Sequence, residues 1–211
     1  QTIVKTRIIA QHQQVVRVDK EDIQEDGFQV LKDAKVWPFI EKRIKECHAV
    51  IISDYGKGMI DPDLVGRIAF AANKRGIPIT VDPKLEKFKL YGKVTSITPN
   101  KKEAEAALQR IPEELRETLG VSTVKLNTPE DILRAGKIFL EYLEIESILV
   151  TLGEYGMCLF ERDKEPFRIA TKAQEVFDVS GAGDTVISVF TLALAAGATK
   201  RQAADIANYA A

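Results

Sequence analysis

From Lys35 to its last residue the chain alternates short apolar runs with helical stretches, and this rhythm constrains the fold more than any other feature. Lys35 to Cys47 reads as a helix with Pro38 in its first turn, and Ala49 to Ser53 as an apolar strand. Asp61-Pro62 starts a helix that Gly76 ends. A capping carboxylate, a proline with no N–H to lose and a terminal glycine each stand where they are favoured. Pro78 to Val81 is a strand, Ser96 to Thr98 a short one, and Asn100 to Gln109 a helix. Residues 110–127 read as irregular. Thr128-Pro129-Glu130-Asp131 caps a helix running to about Leu143. Ser147 to Thr151 and Met157 to Glu161 are strands. Glu175-Val176-Phe177 is a β-rich approach to a strongly apolar helix, Val186 to Ala196. Thr199 with Gln202 makes a capping box for the last helix. Short buried strands joined by helices imply right-handed βαβ units. The expected fold class is therefore α/β, a mainly parallel sheet covered on both faces.

The first residues are different. Thr2 to Ile9 and Gln13 to Asp19 are rich in β-formers but strongly polar, two strands turning near Gln11-His12. They carry too little apolar surface for a core of their own. Residues 1–20 are expected to form a β flap on an α/β core of residues 21–211. The chain opens on Gln1 inside a strand pattern and stops at Ala211 inside a helix pattern, which reads as a piece of a longer protein.

Composition narrows the partners. The 211 residues carry a formal net charge of −1, so no global charge argues for nucleic acid or an anionic membrane. No apolar run approaches a bilayer span. Cys47 and Cys158 lie far apart and make neither a metal pattern nor a disulfide framework, so the cytoplasm is the simplest setting. His12 and His48 have no Cys or His neighbour at metal spacing.

In parallel sheets ligands bind beyond the carboxyl ends of the strands. Here the strands are followed by Asp54-Tyr55-Gly56-Lys57-Gly58, by Asp82-Pro83-Lys84, by Pro99-Asn100 with Glu103 one turn on, and by Thr151-Leu152-Gly153-Glu154-Tyr155-Gly156. The fifth segment is Asp178-Val-Ser-Gly-Ala-Gly-Asp-Thr185. Gly181, Ala182 and Gly183 leave backbone N–H groups bare at a helix N-terminus, where the dipole favours an anion. Asp184, in the first turn of that helix, suits proton removal from a hydroxyl. The pair points to phosphoryl transfer to an alcohol. A tight turn with Asp184 near the cap is the structural alternative. A P-loop fits worse, because no Gly-Lys-Ser/Thr follows the glycines. A dinucleotide fingerprint also fits worse, because Val186 stands where its third glycine belongs.

The octet resembles the C-terminal signature of the ribokinase-like (PfkB) carbohydrate kinase family. Three further elements occur in the family's order: Asn100-Lys-Lys-Glu103, Thr151-Leu-Gly-Glu-Tyr-Gly156, and Ala207-Asn208-Tyr209-Ala210-Ala211. The resemblance implies a ribokinase-like three-layer α/β/α fold with a small β lid. It implies that Asn100 and Glu103 organise Mg²⁺ through water, and that Thr151, Gly153, Gly156 and Asn208 meet ATP. A monovalent cation is a further implied cofactor. Lys5 to Ala10 with Gln13 to Asp19 resembles the lid of the heptose-7-phosphate kinases, and Ser53-Asp-Tyr-Gly-Lys-Gly58 is similar to the same group. The implied reaction converts ATP and D-glycero-β-D-manno-heptose 7-phosphate to the 1,7-bisphosphate, in ADP-heptose and lipopolysaccharide core biosynthesis. Lys5, Arg7, Arg17, Asp54 and Lys57 are the implied sugar-phosphate contacts, although each cation also reads as a solvated surface charge. Family members extend about a hundred residues upstream of Gln1. A homodimer through the lid strands is expected, since unpaired strand edges seek partners. Another sugar or nucleoside acceptor and a non-catalytic nucleotide-binding module are the alternatives.

Overall fold

The computed structural model describes residues 4–10, 13–20, 35–84, 88–121, 123–171 and 181–211. The expected turn at Gln11-His12, the approach strand at 175–177 and the first three residues of the octet lie outside them.

Two antiparallel strands, β1 (Val4–Ala10) and β2 (Gln13–Lys20), form a separate small sheet with a bulge between Ile8 and Ile9. The main sheet has six strands in the order β3 (Val50–Ser53), β4 (Ile79–Asp82), β5 (Ser96–Ile97), β6 (Ser147–Thr151), β7 (Met157–Glu161) and β8 (Phe167–Ile169). The pairings from β3 to β6 are parallel, and β7 and β8 add on antiparallel. The helices are α1 (Val36–Glu46), α2 (Pro62–Arg75), α3 (Lys101–Leu108), α4 (Glu113–Thr118), α5 (Pro129–Tyr142), α6 (Ala182–Ala195) and α7 (Lys200–Ala210).

Residues alternate between the two faces of the sheet, as a period of two requires. Ile148 and Val150 of β6 with Cys158 and Phe160 of β7 join the core that α1, α2, α3 and α5 cover. Leu149, Met157 and Leu159 face the other way, onto Val186, Phe190, Ala203 and Ala207 of α6 and α7. This is the three-layer α/β/α arrangement. The α2 signals work as expected, with Asp61 accepting from the Leu64 amide at 2.8 Å and Gly76 ending the helix left-handed.

Two expectations are corrected. Residues 110–127 are not wholly irregular, because Glu113–Thr118 forms α4. It starts after Pro112 without a side-chain cap, and its one acidic first turn is a weak signal. The strand β8 was not anticipated, since three residues are too few to display a period.

Candidate active site

The carboxyl ends of β3 to β6 share one edge of the sheet, and pairing continues past the strands. The Asp54 amide donates to the Asp82 carbonyl at 3.1 Å and the Thr98 amide to Val81 at 2.9 Å. The Thr151 amide donates to Pro99 at 3.0 Å, with Asn100 bridged to Thr151. Side chains from four strand ends are thereby held along one line.

Carboxylates gather there. Asp82 is half-buried, and its pKa rises from 3.8 to about 6. Burial is the main cause, followed by the negative charges of Glu103 and Asp184, with Asp54 adding to them and Lys84 opposing. This coupling puts the end of β4, the start of α3 and the first turn of α6 around one space. Glu103 is also pushed up by burial, against the Asn100 amide and Lys84. Its carboxylate accepts from the Asn100 amide at 2.9 Å while Asn100 accepts from the Glu103 amide at 3.0 Å. The Asn-x-x-Glu element is therefore also the capping box of α3. Sequence reasoning placed Asp82 and Lys84 at a strand end but gave them no role; Asp-Pro-Lys directly after an apolar strand was the available signal.

The N-terminus of α6 faces the same space. Gly181 is its N-cap, with φ +88 in the left-handed region and no capping side chain, so Ala182, Gly183 and Asp184 get no side-chain cap from it. Among the described residues a Cβ on Gly183 would meet nothing within 4 Å, and Gly183 lacks a positive φ. Asp184 is exposed.

The turn after β3 carries Asp54, Tyr55 and Lys57. Asp54 is buried, with Oδ1 accepting from the Gly56 amide at 2.7 Å and Oδ2 from the Tyr91 hydroxyl at 2.7 Å. Lys57 is exposed. Lys5 of β1 lies 5.2 Å over the Tyr55 ring, so the hairpin reaches this turn. Arg7 stands directly opposite Arg17 in the hairpin ladder, and Arg17 pairs with Asp19 at 2.9 Å.

The remaining residues form a second corner. Gly153 and Gly156 bound a single turn between β6 and β7. Gly156 has φ +83, and a Cβ there would lie 2.0 Å from the Ile169 carbonyl. Asn208 is buried on α7, where its amide nitrogen donates to the Ala170 carbonyl at 2.9 Å. Gly156 and Asn208 thus both pack on the chain leaving β8.

Among the described residues no three His, Cys, Asp or Glu side chains are grouped to hold a metal ion by themselves. Asp82 and Glu103 supply hard oxygen donors, the type Mg²⁺ takes, in the number suited to an ion that keeps waters and phosphate ligands.

A model of the pfkB family carbohydrate kinases matches residues 2–211, and the chain belongs to this family. It is 42% identical over 210 residues to the bifunctional protein HldE of Desulfatibacillum aliphaticivorans, a match covering 100% of the chain and 40% of that relative. It is 39% identical to HldE of Geotalea uraniireducens with the same coverage. The chain thus spans about two fifths of the length of these relatives. In fold it is similar to Arabidopsis thaliana ribokinase complexed with ribose and ATP, with a TM-score of 0.67 and 18% identity over 98% of the chain and 60% of the ribokinase. It is also similar to Escherichia coli phosphofructokinase-2, with a TM-score of 0.63 and 21% identity over 82% and 53% of the two chains.

Proposed function

We propose that the chain is the phosphoryl-transfer part of an ATP-dependent kinase that phosphorylates the 1-hydroxyl of D-glycero-β-D-manno-heptose 7-phosphate. The observation that carries the chemistry is Asp184 in the first turn of a helix without a side-chain cap, electrostatically coupled to Asp82 beside Glu103. Asp184 takes the proton of the sugar hydroxyl as that oxygen bonds to the γ-phosphorus and the bond to the bridging oxygen of ADP breaks. The amides of Ala182, Gly183 and Asp184 steady the phosphoryl oxygens. Mg²⁺, when bound with the nucleotide, would neutralise phosphate charge; Asn100 and Glu103, with Asp82 beside them, would hold it, largely through water. Thr151, Gly153, Gly156 and Asn208 are assigned to the nucleotide side.

The acceptor rests on the resemblance of the lid and of Ser53–Gly58 to the heptose-7-phosphate kinases, supported by the likeness to HldE. The hairpin adds support. Lys5, Arg7 and Arg17 share one of its faces with a single carboxylate, Asp19, which pairs with Arg17, so that face keeps an excess of positive charge. A sugar that already carries a phosphate suits that face, with Lys57 from the turn after β3. The setting proposed is a cytoplasmic homodimer formed through the hairpin.

The test is transfer from ATP to the heptose phosphate by the full-length protein and by its Asp184→Asn variant. Turnover should fall at least about a thousandfold, with ATP affinity within about twofold. Full turnover by the variant would remove Asp184 from the base role. Preference for ribose over heptose phosphate would replace the acceptor.

A further inference from the structure

We infer that Tyr91 is a positioning residue, whose buried hydroxyl latches the turn after β3 to the segment after β4 and keeps the acceptor side of the site in register with the phosphoryl side. The inference rests on the kinase reading above.

Tyr91 ends a single 3₁₀ turn, Phe88–Tyr91, and its own side chain is fully buried. A buried phenol needs partners for its oxygen. Tyr91 has two: it donates to Asp54 Oδ2 at 2.7 Å and accepts from the Lys84 amide at 3.3 Å. Asp54 Oδ1 in turn accepts from the Gly56 amide at 2.7 Å. A continuous chain of bonds therefore runs from Lys84 through Tyr91 and Asp54 to Gly56. Its middle members are buried, and the charged acceptor strengthens it. Burial and the neighbouring Asp54 hold the phenol far above its ordinary pKa, so it stays a donor.

The two segments joined this way carry different chemistry. Tyr55, in the Asp54 turn, meets Lys5 of the hairpin. Lys84 acts electrostatically on both Asp82 and Glu103. The Lys84 stem also lies against Gly56, with Cγ 3.1 Å from where a Cβ would stand. Among the described residues the outermost backbone tie between β3 and β4 is the Asp54 amide on the Asp82 carbonyl, and the Tyr91 hydroxyl links the two segments beyond it. Packing does not require that hydroxyl, since a phenylalanine ring would fill the same space beside Phe88, whose centroid is 6.4 Å away.

The experiment is Tyr91→Phe in the full-length protein, assayed on a panel of sugars and sugar phosphates. Thermal melts, nucleotide binding and amide hydrogen exchange are measured alongside. We expect kcat with the acceptor to fall about tenfold to a hundredfold, the usual result of small misplacement. Nucleotide affinity should stay within about twofold, and the Lys84 and Gly56 amides should exchange faster. A lower melting temperature with unchanged kcat would overturn the inference, because a purely structural tyrosine gives that result. Asp54→Asn is the second variant, and combined with Tyr91→Phe it should be no slower than the slower single variant. Fully multiplied losses would show that the two act separately and would overturn the latch. A wild-type protein that phosphorylates nothing on the panel would overturn the kinase reading alone. The latch would then be upheld by faster exchange at Lys84 and Gly56 in Tyr91→Phe, and overturned by unchanged exchange.

Discussion

Thr80 on β4 and Thr191 on α6 bring their hydroxyl oxygens to 2.5 Å of each other inside the layer between sheet and helix. Thr191 sends its one proton to the Ile187 carbonyl at 2.6 Å, so Thr80 is the donor between the two threonines. Asp82 follows Thr80 on the same strand, and Asp184 precedes Thr191 by two turns of the same helix. This buried bond, with the apolar packing of Val186 and Phe190, therefore sets how α6 lies along β4, and with it the approach of the two carboxylates.

The direction of that bond makes the two threonines unequal. Thr191→Val leaves a buried Thr80 donor with no acceptor, and should cost about 1–3 kcal/mol. Thr80→Val only removes one donor from an oxygen that keeps its bond to Ile187, and should cost about 1 kcal/mol or less. The double valine variant should be more stable than the sum of the two losses. Urea unfolding of the four proteins checks this; equal single losses that simply add would contradict the assignment.

Gly136 on α5 shows a second tight contact. A Cβ there would fall 2.2 Å from the ring of Phe160, which is buried on β7. Alanine would gain helix propensity, worth about 1 kcal/mol, but the ring has to move within a packed core. Overpacking wins, and Gly136→Ala should lose about 1–3 kcal/mol net. Adding Phe160→Leu should return part of that loss. Thermal melts of the single and double variants measure both effects, and a Gly136→Ala protein as stable as the wild type would show that the contact is slack.

What the sequence discloses follows from how local the determining physics is. The caps of α2, α5 and α7 were legible because each is set within four residues: Asp61 with Leu64, Thr128 with Asp131, Thr199 with Gln202. The placing of Asp184 beside a glycine-opened helix start was legible for the same reason. The role of Asp82 was not, because its raised pKa depends first on burial and then on Glu103 and Asp184, which only the folded sheet brings near. Tyr91 lay hidden in an unremarkable polar stretch, 37 positions from the carboxylate it holds. The second duty of Glu103, as a cap, was written in the Asn-x-x-Glu spacing but read only as chemistry.

The hairpin gives a prediction about assembly. Its register puts Val4 and Ile8 on one face with Val16 and Val18, and these four are 44–55% exposed. A two-stranded ribbon with a bare apolar face is marginal by itself. If the proposed dimer forms through this face, Ile8→Lys, opposite Val16, should shift the full-length protein from dimer to monomer in light scattering after size exclusion. Activity per subunit should fall with it if the hairpin needs the partner to stay over Tyr55. An unchanged dimer would mean that subunits meet elsewhere.

Asp82 sets a pH dependence whose sign can be worked out. Its pKa rises from 3.8 to about 6 in the folded protein, so the fold binds this proton more tightly than the unfolded chain does. Well below pH 4 both states hold the proton and the group costs nothing; the cost grows as the pH rises through about 4 toward 6 and is complete above that. Asp82→Asn removes it. Because Asp82 is only half-buried, solvent screening reduces the gain expected at pH 8 to about 1–2 kcal/mol. At pH 4 most of this gain should be gone. The same change removes an oxygen donor from the proposed metal site, so phosphoryl transfer should drop while stability rises. Calorimetric melts at pH 4 and pH 8, without nucleotide or metal, decide it. An asparagine variant less stable than wild type at pH 8 would show that the carboxylate cluster is held together by its charges rather than strained by them.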